Sequence, residues 1–315
     1  MSLKKMGVLQ VTENWQEATH IVHSDPFHAD DVFSTALFLI SGENVALCRV
    51  SSVPENISSN VIVYDIGLGE FDHHQVGGNG KRNYGTRTPY ASCGLIWKKH
   101  HKKILDNFQC PANLIGFVFQ EVDSMLIEGI DGRDNGIKQF KGISNYRAMN
   151  VSQVIGMYNV LWDDVGIDRN RAFVDAVEIA SQILIKTINC AISKGRAKRE
   201  IKNAIRKSEN KILILDRHMP WEETVIKNMS EKSKSLLYVV FPSSRGGYVV
   251  QGIPSAIGRF EQRKPFPKDW WGKSAEELKI ITGVDDITFC HNTGFLVSVS
   301  SLEGALKVAK IAVDI

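Results

Sequence analysis

Paired cysteines are missing from this chain. Its five cysteines, Cys48, Cys93, Cys110, Cys190 and Cys290, are an odd number scattered over 315 residues, and none forms a Cys-x-x-Cys step. Reduced thiols in a cytoplasm are therefore expected, and a disulfide frame is not. Bilayer-length apolar runs are missing too. Val32 to Ile40 is too short, and Val174 to Ile185 is interrupted by Asp, Glu, Ser and Gln, so no membrane segment is expected. No charged-then-apolar leader opens the chain, and no internal repeat or low-complexity tract breaks it. Strong net charge is absent as well. A formal +3 permits a nucleic-acid substrate without demanding one.

What is present is ordinary globular composition, 43% hydrophobic and 23% charged, in a chain long enough for two domains. Short β-branched runs at His20 to His23, Val45 to Val50 and Val61 to Tyr64 alternate with helical patterns at Asp30 to Ile40, from about Ser92, and at Asn113 to Met125. That alternation predicts βαβ units, hence an α/β fold with a mostly parallel sheet flanked by helices, over residues 1–165. From Arg169 to about Asn210, apolar residues recur at helical spacing and the end turns basic. This predicts a long amphipathic connector over 166–210 with a solvated charged face. Strand-like runs at Ile212 to Leu215, Leu236 to Phe241, Tyr248 to Gln251 and Phe295 to Val299 predict a smaller α+β domain over 211–315.

The chemistry gathers at strand ends. Ile21-Val22 runs into His23, in His23-Ser24-Asp25-Pro26-Phe27-His28-Ala29-Asp30-Asp31, and Ile62-Val63-Tyr64 runs into Asp65. Open α/β sheets present their reactive groups at the carboxyl edge of such strands. Mixed Asp and His donors suit Mn²⁺ or Mg²⁺ better than a thiolate zinc site. Asp65 is placed to bridge two cations about 3.5–4 Å apart for in-line attack on phosphorus. His23, His28 and Asp30 are further ligand candidates, with N-capping as the competing duty for Asp25, Asp30 and Asp31. In Asp72-His73-His74, adjacent imidazoles project differently, so one can ligate metal while the other faces substrate. His100-His101, inside a run of lysines, is expected to be solvated surface. Asp131 is the candidate from a fourth segment, expected after a helix-plus-strand stretch. Asp123 competes for that role, and Asp134 is expected in a turn.

These motifs, in this order, resemble the DHH phosphoesterase superfamily, which includes RecJ-like nucleases and family II pyrophosphatases. The likeness is closer still to the Myg exonuclease family and runs nearly the full chain. It includes Phe27-His28 with Asp30, Phe71 to Gln75, Ala91 to Leu95, Ile130-Asp131 with Asp134 to Gly136, Pro220-Trp221, Tyr248 to Gln251, Phe260 with Arg263, Pro267 with Trp270 and Gly272, and His291 with Gly294-Phe295. The resemblance implies 3′-to-5′ cleavage of single-stranded RNA, and possible action on DNA, with two Mn²⁺ or Mg²⁺ ions. It gives the ligand role to His73, which leaves His74 for the phosphate or leaving oxygen and Asp72 to orient its neighbours. The expected ligand set is then His23, His28, Asp30, Asp65, His73 and Asp131. Pyrophosphatase-like members carry an aspartate four residues after the first histidine. Here Phe27 stands there and His28 follows, a more nitrogen-rich site that favours Mn²⁺.

Substrate is expected on the second domain, where Arg245, Arg259, Arg263 and His291 supply cationic contacts and Trp270-Trp271 an aromatic surface; Trp221 and Trp270 equally suit a core. Two other functions fit the same residues. One is hydrolysis of a small phosphate ester such as pyrophosphate or a short or cyclic nucleotide, which would lack the steep salt dependence of a polynucleotide. The other is non-catalytic RNA binding, which metal-dependent turnover would exclude. A homodimer is compatible with either.

Overall fold

Four short strands begin the computed structural model, which describes residues 3–138 and 148–315. β1 (Leu9–Val11), β2 (His20–His23), β3 (Val45–Val50) and β4 (Ile62–Val63) are all parallel, in the order β1-β3-β2-β4. Between β2 and β3 runs α1 (Ala29–Ile40), every residue of which is buried. Its apolar run is therefore core packed on all sides. α2 (Ser92–Asn107), α3 (Ile115–Val122) and α4 (Glu128–Asp134) follow, with α1 packed against both α2 and α4. α3 passes into α4 through a wide π-type turn at Asp123–Ile127 without leaving helical geometry. The stretch before Asp131 is thus helix throughout, where the sequence suggested helix then strand. Continuous apolar residues alone do not separate a buried helix from a buried strand. α5 (Val151–Gly156) and the 39-residue α6 (Arg169–Lys207) complete the run.

Contacts divide the chain into two compact units, Met1–Ser193 and Lys194–Ile315, a boundary that falls inside α6. By length and composition alone α6 would reach across a membrane, with an 18-residue stretch of mean hydropathy 1.2. The stripe Phe173, Val177, Ala180, Leu184 and Ile188 is instead buried in the core of the first unit.

The second unit holds β5 (Ile212–Ile214), α7 (Glu222–Ile226), α8 (Glu231–Ser235), β6 (Tyr238–Pro242), β7 (Tyr248–Gly252), α9 (Ala275–Thr282), β8 (Ile287–Cys290), β9 (Leu296–Val299) and α10 (Leu302–Asp314). Its sheet runs β5-β6-β7-β9-β8, with β5 and β6 parallel and the other pairs antiparallel. Alternation along β6 puts Tyr238 and Val240 in one core with α10, and Val239 and Phe241 in another with Ile201 and Trp221. The molecule is thus an α/β protein, a parallel four-stranded sheet with helices plus a second, mixed sheet.

Candidate metal centre

Adjacent parallel strands deliver the first two residues together. β2 and β4 pair with His20 opposite Ile62 and Ile21 opposite Val63, so His23 and Asp65 leave the same sheet edge side by side. Asp65 has φ +56°, in the left-handed region that aspartate tolerates better than branched residues, and its amide donates to the Phe71 carbonyl at 3.0 Å. Its two oxygens face different partners. Oδ2 lies 3.3 Å from His23 Nε2, which is also 3.4 Å from Asp31 Oδ2. Oδ1 lies 3.7 Å from His73 Nδ1 and accepts from Ser92 Oγ at 3.3 Å. His73 in turn stands 3.8 Å from Asp30 Oδ2 through Nδ1, and 2.9 Å from Asp134 Oδ2 through Nε2.

Backbone amides at two helix starts fix the carboxylates. Asp31 Oδ1 accepts the His28 amide at 2.8 Å at the entry to α1, which leaves Oδ2 for His23. The N-terminus of α2 gives its unpaired amides to acids. Ser92 and Cys93 donate to the two oxygens of Asp30 at 2.8 and 2.7 Å, and Gly94 donates to Asp131 Oδ1 at 3.0 Å. Helix N-termini favour negative charge for this reason. A Cβ at position 94 would lie 1.8 Å from Asp131 Oδ2, so only glycine allows that approach.

Burial and crowding disturb these groups strongly. Desolvation and the neighbouring carboxylates of Asp65, Asp134 and Asp131 push Asp30 well above the usual carboxylate range. Burial lifts Asp31 to about 7 against the pull of His23. His23 goes the other way: burial opposes its charge, but Asp65 and Asp31 raise it to about 9. The arrangement thus collects more negative charge than it can hold without protons or cations. Two buried atoms, Asp31 Oδ2 and His73 Nδ1, have no hydrogen-bond partner. Crowded oxygen and imidazole donors that leave buried atoms without a hydrogen bond fit divalent cations. Among the described residues, three groupings have ligand atoms within 4.8 Å of one another: His23, Asp31 and Asp65; Asp30, His73 and Asp134; and Asp65, Asp72, His73 and His74.

His74 has a separate environment. Its Nδ1 is 2.7 Å from Asp72 Oδ1, and Asp72 also accepts the amides of Leu68, His73 and His74. Burial works against the Asp72 charge, but the His74 side chain and the amides outweigh it and hold the carboxyl below its usual range. An ionised Asp72 only accepts, so His74 Nδ1 carries a proton and Nε2 is left for other contacts. His74 lines a cleft of about 430 Å³ with His23, His28, Asp65 and Asp25.

Two expected ligands are placed elsewhere. Asp131 is fully buried with Oδ2 2.9 Å from Arg82, which also binds Asp123 through two nitrogens at 2.6 and 2.7 Å. An acid already paired with a buried guanidinium and an amide has a structural duty, and the same holds for Asp123. Asp134, expected in a turn, ends α4 beside His73 instead. His28 is exposed at the start of α1, with its ring 5.6 Å from that of His23, on the cleft wall and outside the three groupings. Asp31 and Asp134 are the additions that sequence did not supply. Their signal was position alone, one residue after Asp30 and one helical turn after Asp131. His100 and His101 are half-buried against Phe38, Phe71 and Phe119, where solvated surface was expected, because one face of α2 turns them inward.

The model of the MYG1 exonuclease family, described as an uncharacterised protein family (UPF0160), matches residues 19–313. The chain belongs to that family. Among its relatives, a MYG1 protein of Dictyostelium discoideum is 26% identical, covering 93% of this chain and 95% of that one. The MYG1 exonuclease of Mus musculus is 25% identical over 91% of this chain and 83% of its own. A solved structure of RecJ with Mg²⁺ from Thermus thermophilus aligns at 12% identity over 95% of this chain and 50% of that one, with a TM-score of 0.25.

In this Myg-family chain the second-unit candidates have differing surroundings. Arg263 donates Nη1 to the carbonyls of Ser233, Lys234 and Leu236 at 2.7, 3.3 and 3.0 Å, closing the end of α8. That is a structural duty which the sequence did not disclose. His291 Nδ1 is 2.9 Å from Thr293 Oγ1, with its ring edge-on to Phe295. Arg245 and Arg259 are exposed. Trp270 and Trp221 are buried in the two cores, so Trp270 offers no open stacking face.

Proposed function

We propose that the chain is a metal-dependent phosphodiesterase acting on single-stranded nucleic acid, with 3′-to-5′ trimming of RNA as its reaction. The observation that carries this is the split of Asp65, whose two oxygens face two different histidine-carboxylate groups at 3.3 and 3.7 Å. One carboxylate shared between two donor sets is what a two-cation phosphoryl-transfer site needs. His23 and Asp31 would hold one ion, Asp30, His73 and Asp134 the other, and Asp65 both. Oxygen and imidazole donors favour Mn²⁺, with Mg²⁺ as the alternative. Divalent ions there would supply Lewis acidity toward the phosphoryl group and an attacking water.

The protein's own contribution is positioning and proton control. Asp72 holds the His74 ring by Nδ1, so Nε2 can contact a phosphate oxygen or the leaving oxygen. The amides of Ser92 and Cys93 lock Asp30 against rotation, and Asp31 is locked from the His28 side. Exposed Arg245 and Arg259, with His291, are the proposed phosphate contacts of the second unit. The mouse relative bears the name exonuclease, and membership in the same family supports a nucleic-acid substrate.

The test is incubation of purified protein with 5′- and 3′-labelled RNA and DNA oligomers, with EDTA, Mn²⁺ or Mg²⁺, and resolution of the products. Stepwise shortening of 5′-labelled RNA from the 3′ end is expected only with metal. Absence of turnover on any oligomer across these metals would sink the proposal.

A further inference from the structure

Residues 160–168 are tied at both ends to one wall of the cleft. Asn159 grips the backbone of Phe27, accepting its amide at 3.0 Å and donating to its carbonyl at 2.9 Å. At the other end, Arg49 donates to Asp25 at 2.6 Å, and to the Arg169 carbonyl and Asn170 Oδ1 at 3.3 Å each. Asp25, Pro26 and His28 line the cleft beside His23. The segment therefore arches from the loop that carries His23 and His28 and returns to it.

Between its anchors the segment is apolar and open to solvent. Trp162 is 96% exposed and Val165 92%, with Leu161 and Ile167 more than half exposed. The tip is closed rather than frayed. The Leu161 amide donates to Asp164 Oδ2 at 2.8 Å, and the Asp164 amide donates back to the Leu161 carbonyl at 3.2 Å. Asp168 accepts the amides of Asn170 and Arg171 at the start of α6. Two of the three acids here are thus taken up by backbone donors, and the indole stands on a fixed turn in water. A large aromatic left uncovered on a segment anchored to a cleft-lining loop marks a contact surface.

We propose that Trp162 is a stacking platform for a base of a single-stranded substrate whose phosphate lies in the cleft. The inference rests on the phosphodiesterase reading above and adds what favours a base-bearing strand over a substrate such as pyrophosphate, which has no base to reach the strap. Stacking on an indole is indifferent to sequence, because every base has a π face. The remaining acid, Asp163, suits contact with a base rather than with another phosphate.

The test compares wild type, Trp162→Ala and Trp162→Phe in Mn²⁺. Their affinities are measured by anisotropy for a labelled single-stranded RNA with hydrolysis-resistant phosphorothioate linkages, and for the same strand made abasic at its last three nucleotides. Trp162→Ala should weaken the base-bearing strand roughly 5- to 100-fold, with Trp162→Phe close to wild type. The abasic strand should bind wild type and Trp162→Ala alike, a cancellation that mere loss of structure would not give. A loss below twofold for Trp162→Ala, or an equal loss on both strands, overturns the platform. Hydrolysis of the unmodified RNA is scored separately. Turnover with no Trp162 effect sinks the platform alone, a Trp162 effect on binding without turnover sinks the hydrolytic reading alone, and neither binding nor turnover sinks both.

Discussion

Asp131 and Asp134 lie one helical turn apart on α4, and their carboxylates meet opposite company. Asp131 is 2.9 Å from the buried Arg82 guanidinium, whereas Asp134 is 2.9 Å from His73. Asp134→Asn should therefore lower Mn²⁺ stoichiometry and turnover while leaving thermal stability near wild type. Asp131→Asn should instead keep both metals and lower the melting temperature, because Arg82 loses one of its two buried carboxylates and keeps Asp123 alone. Calorimetric metal titration and thermal melts of both variants check this. A stable Asp131→Asn protein that has lost a metal would return the ligand role to Asp131.

Asp65 is best tested with asparagine. Alanine at φ +56° would add backbone strain, while asparagine tolerates that conformation and removes only the charge. Asp65→Asn should fold, should lose binding at both cation positions, and should lose more turnover than the ~10²–10³ typical of one transition-state donor. Retained Mn²⁺-dependent turnover in the folded variant would refute the bridging role.

The histidine pair separates by partner. His73 touches Asp30, Asp65 and Asp134, so His73→Ala should cut both metal occupancy and turnover. His74 is held by Asp72 and is more than half exposed, so His74→Ala should keep both ions yet lose roughly 10²–10³ in kcat. Titrating Mn²⁺ into each variant and assaying at saturating metal distinguishes them. The opposite pattern reverses the roles.

Proton linkage gives a prediction about pH. Burial works against the His23 charge, but Asp65 and Asp31 raise it to about 9. Burial lifts Asp31 to about 7 against His23, and Asp131 to about 7 against Arg82. Each group binds its proton more tightly folded than unfolded. The stability due to His23 is whole below about 6.5 and lost as pH rises through 9; that due to the acids is whole below about 3.8 and lost through 7. Metal-free protein should therefore melt at falling temperature from pH 6 to 9. Added Mn²⁺ should stabilise it more over the same span, because fewer protons must leave. Melts with EDTA and with Mn²⁺ across that range measure both slopes. A metal-free melting temperature that rises with pH would contradict the crowded-acid account.

Much of the site was legible because strands ended in it. Ile21-Val22, fully buried, and Ile62-Val63, half-buried, are unmistakable β-branched runs, and they lead to His23 and Asp65 on neighbouring strands. The choice between Asp131 and Asp134 was not legible, since Arg82, which decides it, belongs to a loop with no sequence mark of burial. Asp31 was readable only as a cap, and it does cap α1 with one oxygen while the other faces His23. β1 is three residues with a glutamine at its centre, and β8 has only its end residues buried, so neither shows a period. Arg263 looked like a phosphate contact because sequence does not reveal that backbone carbonyls already occupy it.

Ser92 and Cys93 donate to both oxygens of Asp30 at once. A carboxylate held this way cannot swing about its last bond without breaking both hydrogen bonds, and each oxygen keeps a second lone pair for another partner. The start of one helix thus sets the angle of an acid before any cation arrives, so little side-chain freedom is left to lose on binding.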